Sequence, residues 1–134
     1  MSSPPTSRRD ARERALELLY EAESKSVSVA DVIRDLPLAP DGYASVLAIG
    51  VGENQVQADA LITKFARNDW SIERLPMIDR IVLRLAIYEL SYQPDVPRGV
   101  VLDEAVELAK TFSTEESGGF VNGMLTSIAN ELGR

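Results

Sequence analysis

The chain has 134 residues, 45% of them hydrophobic and 26% charged, with a formal net charge of −7. That length suits one domain with a real core, and the negative balance argues against a generic polyanion coat, which needs a positive field. Cysteine and histidine are both absent, which excludes disulfides, thiolate zinc sites, cysteine nucleophiles and every Ser-His-Asp catalyst.

Residues 1–6 (MSSPPT) are small, polar and proline-bearing and read as a disordered tail, leaving residues 7–134 as one domain. The segment SRRDARERALELLYEAESK is predicted helical, with Ser7 and Asp10 spaced as a capping box. Ala11, Ala15, Leu18, Leu19 and Ala22 form its apolar face, and Arg9, Leu16 and Tyr20 form a flank beside Arg8 and Arg12. A short helix is expected from Val29 to Leu36, then a turn around Pro40 and Gly42. A long helix is expected from Tyr43 to Asn68, with Gly50 and Gly52 marking a break or a close contact.

Trp70 to Pro76 reads as a connector. Met77 to Tyr92 is the most apolar helix and belongs in the middle of a bundle. Val100 to Phe112 is amphipathic, with Leu102, Ala105, Val106, Ala109 and Phe112 inward. Ser113 and Glu116 can cap the last helix, in which Gly123 reads as a close-packing position. No segment alternates with period two, so the fold class is all-α, a compact bundle of six to seven helices. No apolar run approaches the ~18 residues of a membrane span and no secretory signal opens the chain, so a soluble cytoplasmic protein is expected.

Nothing in this pattern points to an enzyme, a metal site or a cofactor. The glycine pairs lack the following Lys-Ser/Thr of a phosphate loop. Glu89 projects among apolar positions and is expected to be half of a buried ion pair with an arginine from elsewhere. Arg8, Arg9, Arg12 and Arg14 crowd a helix N-terminus, where the macrodipole disfavours cations. They form either a solvated charged face or a phosphate-binding one, with Tyr20 and Phe120 available to stack on bases.

The segments RRDARERALELLY, RIVLRLAIYEL, DVP, DEAVELAKTF and FVNGML occur in an order and spacing that resemble the NusB family of bacterial transcription antitermination factors, over Arg8 to about Leu132. The resemblance implies two three-helix subdomains, here about 7–69 and 70–134. It implies binding of boxA, a short single-stranded element of ribosomal RNA leader transcripts, together with NusE, a ribosomal small-subunit protein. It also implies delivery of that RNA to RNA polymerase with NusA and NusG.

Carried over by position, the resemblance gives RNA-contacting roles to Arg8, Arg9, Arg12, Tyr20, Glu116 and Phe120. It gives a NusE-contacting role to Asp79, with Arg80, Arg84 and Tyr88 on the accessible side of the same helix as weaker candidates. Asp10 and Gly118-Gly119 stand where the family is more basic, so weak RNA binding by the chain alone is expected, strengthened by a basic partner. The alternative is an assembly module whose basic helix serves homodimerisation instead of RNA.

Overall fold

The computed structural model describes residues 7–66 and 71–134. The expected tail at residues 1–6, the subdomain boundary at 69/70, Asn68 and Trp70 lie outside the described residues. Within them the chain forms seven α-helices: α1 (Arg8–Lys25), α2 (Val29–Arg34), α3 (Gly42–Glu53), α4 (Gln55–Phe65), α5 (Met77–Tyr92), α6 (Arg98–Phe112) and α7 (Glu115–Glu131). A single 3-10 turn, Ile72–Arg74, precedes α5. The described residues contain no strand.

Local chemistry sets most of the boundaries. The Ser7, Ser28 and Thr114 hydroxyls each accept from the backbone N–H three residues on, capping α1, α2 and α7. The α7 cap is therefore Thr114, one residue beyond the expected Ser113, whose hydroxyl instead bonds Ser117. α1 ends where Ser26 turns left-handed at φ 55° and Val27 N–H reaches back to Ala22 O.

The expected long helix over 43–68 is two helices. The ladder breaks at Asn54, whose side-chain amide donates to Gly50 O at 2.8 Å. Gly50 is also a close contact: a Cβ there would lie 2.3 Å from the Tyr88 ring. Gly123, by contrast, has nothing within 4 Å of such an atom, so its expected packing role is corrected. The tight glycine of α7 is Gly118, which faces the Lys110 stem.

α5 is the axis of the bundle. It packs against α1, α3, α4, α6 and α7 and buries Ile81, Val82, Leu83, Leu85, Ala86, Ile87 and Leu90. α1 and α3 pair on one side of it, with α2 against both, and α6 and α7 pair on the other. This layout presents the N-terminal turns of α1 to both α5 and α6. No helix among the described residues is long and apolar enough to cross a membrane.

Candidate nucleic-acid interface

Cations at the start of a helix need carboxylates from elsewhere in the fold, because the macrodipole works against them. Each of the first three arginines of α1 finds a different one. Arg8 lies at 3.3 Å from Asp95 in the α5–α6 loop, with its guanidinium carbon 4.3 Å above the centre of the Tyr43 ring. Both ends of that ion pair are open to solvent.

Arg9 donates from Nε and Nη2 to the two oxygens of Glu104 on α6, at 3.1 and 2.9 Å. Those bonds raise the affinity of Arg9 for its proton and hold the Glu104 carboxyl below its usual range. The Arg9 side chain remains 64% exposed, whereas that of Glu104 is 17% exposed.

Arg12 is the interior member of the set. It is only 4% exposed and makes two 2.8 Å bonds to Glu89 on α5. Tyr43 of α3 donates its hydroxyl to the same carboxylate at 2.6 Å. Burial works hardest against the Arg12 charge, but Glu89 outweighs it and the net shift is upward. Burial, and then the bond to Glu89, push the Tyr43 hydroxyl well above the ordinary phenol range. Glu89 therefore has the arginine partner expected of it. The expectation of a surface guanidinium at Arg12 is corrected, because the core ion pair occupies it.

Tyr20, whose orientation the sequence left open, is 46% exposed. It lies eleven residues after Arg9, which returns to nearly the same face of α1 about 16 Å further along the axis. At Tyr20 that stripe enters an open groove of about 590 Å³, walled by Leu16 and Tyr20 of α1, Ile78 of α5 and Phe112 of α6. Phe112, expected inward, is 42% exposed there because it is the last residue of α6, where the apolar face runs off the bundle. Sequence reasoning missed it as a site residue. Its place at a helix end just before Ser113-Thr114 was the available signal. Glu116 is exposed in the first turn of α7, and Phe120 is partly buried with its ring against the core.

The α5 residues expected to meet a partner are engaged within the chain. Asp79 is buried and accepts from the Ser117 hydroxyl at 2.9 Å. Arg84 makes a two-bond pair with Asp59 at 2.8 and 3.0 Å and a longer contact with Glu23, which also pairs with Arg80. The Tyr88 ring fills the space over Gly50. The expected accessible side of α5 is thus corrected: α1, α3 and α4 pack over it. Among the described residues, no group of three potential ligands could hold a metal ion.

Comparison with known proteins bears on the family and the fold. The NusB family profile matches residues 9–130. A transcription antitermination protein NusB from Sorangium cellulosum is 46% identical over 133 residues, covering 95% of this chain and 94% of the relative. The structure of Thermotoga maritima NusB superposes with a TM-score of 0.86 at 36% identity, covering 96% of this chain and 94% of that one. A crystal structure of antitermination factors NusB and NusE in complex with dsRNA superposes with a TM-score of 0.77 at 27% identity, over 92% of this chain and 96% of the other. By sequence and by fold, the chain belongs to the NusB family.

Proposed function

We propose that this protein is an RNA-binding transcription antitermination factor. It binds boxA-type single-stranded RNA of ribosomal RNA leaders together with NusE. With NusA and NusG it acts on RNA polymerase in the cytoplasm to keep ribosomal RNA transcription processive. The reading assigns binding and no catalysis. Family membership supports it, and the NusB–NusE–dsRNA complex among the structural neighbours supports its RNA-binding and NusE parts.

The observation that carries it is one stripe of α1. An exposed guanidinium, Arg9, stands at one end and an open groove between Tyr20 and Phe112 at the other. Phosphates are gripped by arginine, and unpaired bases stack on aromatic rings. We assign RNA contact to Arg8, Arg9, Tyr20 and Phe112, with Glu116 and Phe120 bordering the path from α7. Arg12 serves by fixing α1 to α5. The NusE surface is not assigned to Asp79, Arg80, Arg84 or Tyr88, whose side chains are buried or half-buried in the chain's own packing.

The test is binding of a labelled boxA RNA, single-stranded and as a duplex, with and without NusE. Single-stranded RNA binds more tightly than the duplex, and NusE strengthens it. Preference for the duplex would contradict the stacking role of the groove. Sedimentation of the chain alone separates the other use of this face: a homodimer that dissociates when RNA is added would place both on α1.

A further inference from the structure

The three arginine pairs of α1 differ in whether a polyanion can break them. Arg12 and Glu89 are both buried, so no phosphate can come between them. Arg8 and Asp95 are both exposed and share one 3.3 Å contact, a loose pair screened by solvent. Arg9 and Glu104 combine the two extremes. The guanidinium is exposed, but its partner is anchored on α6 and holds it with two bonds.

Arg9 is also outnumbered. Glu13 on its own helix and Glu107 on α6 lie near enough, with Glu104, to favour its charged form. Three carboxylates thus act on Arg9, and a phosphate approaching this guanidinium meets competing negative charge. Glu104 stays ionised across the neutral range, since Arg9 depresses its proton affinity. Relief therefore requires an added cation or removal of the carboxylate, not a physiological change of pH.

We infer that Glu104 sets the RNA affinity of the free chain by competing with phosphate for Arg9. The inference rests on the RNA-binding reading above and adds a named suppressor to it. RNA binding by the free chain requires a phosphate to displace the α6 carboxylate, and a basic partner covering this collar lowers that barrier. Assembly therefore modulates affinity, through the same residue pair that ties α1 to α6.

The test is a mutant cycle on the free chain, read by anisotropy of a labelled single-stranded boxA RNA. Glu104→Gln keeps the side-chain shape and removes the charge. It tightens RNA binding roughly two- to fivefold, the range of one exposed ion pair. In an Arg9→Ala background the same substitution gives a smaller gain, because no guanidinium is there to release. Glu131→Gln, which removes a carboxylate paired with Lys64 and not with Arg9, changes affinity less than Glu104→Gln does. Thermal melts confirm that each variant is folded.

Unchanged or weaker binding by Glu104→Gln overturns the inference. So does an equal gain with and without Arg9, or a gain matched by Glu131→Gln. If the wild-type chain binds no RNA even with NusE present, the RNA reading itself falls, a result distinct from failure of the competition.

Discussion

Arg12 shows how one residue type on one helix can do two jobs. It is seven residues before Leu19, within about 20° of it on the helical wheel. Leu19 is core, so the interior position of Arg12 was legible in the spacing, but the neighbouring arginines suggested a shared basic face. What the sequence could not supply was the partner, since Glu89 is 77 residues away. Removing one end of such a pair strands the other charge. Arg12→Met is expected to cost about 3–5 kcal/mol in urea unfolding, and the double variant Arg12→Met, Glu89→Met to recover most of it. A single variant as stable as wild type would contradict the burial of this pair.

Tyr43 gives the same network a pH signature. Its folded-state pKa is raised above the unfolded value of about 10, so its contribution to stability is whole below that pH. It is lost as pH rises further, because the unfolded chain ionises first. Stability should therefore fall more steeply above pH 10 in wild type than in Tyr43→Phe. Urea midpoints of the two proteins at pH 8 and pH 11 measure this, and parallel declines would show that Tyr43 plays no part.

At the scale of elements, the helices were legible because their apolar periodicity and caps agree. Ser7 and α1 are a clear case, and the all-round apolar pattern of α5 placed it at the axis. The misreadings came where tertiary contact decides. Arg80, Arg84 and Tyr88 looked accessible only while α1, α3 and α4 were not yet packed over α5. Phe112 looked inward only while α6 was treated as endless.

The glycines separate the two kinds of information. Gly50→Ala should destabilise by roughly 1–3 kcal/mol despite its better helix propensity, because its Cβ would meet the Tyr88 ring. Gly123→Ala, with open space around it in the body of α7, should stabilise by about 0.5–1 kcal/mol. Melting temperatures moving in opposite directions would bear out the packing, and a shared direction would refute it.

For the whole molecule, the charge distribution matters more than the net charge. An acidic body carries a few exposed guanidiniums at one end of α1, each already matched to a carboxylate of the chain. Such a surface gives little nonspecific binding and leaves room for a partner to complete the phosphate contacts. On the proposed RNA-binding reading, the groove at Tyr20 and Phe112 supplies the stacking surface that distinguishes unpaired bases from a duplex backbone.

The most direct test is the salt dependence of boxA RNA affinity for the chain with NusE, wild type against Arg8→Ala, Arg9→Ala. If the two exposed arginines each neutralise one phosphate, the double variant binds more weakly. The slope of log affinity against log salt then becomes shallower by about 1.4. A folded double variant with unchanged affinity and slope would show that the RNA does not lie along this end of α1.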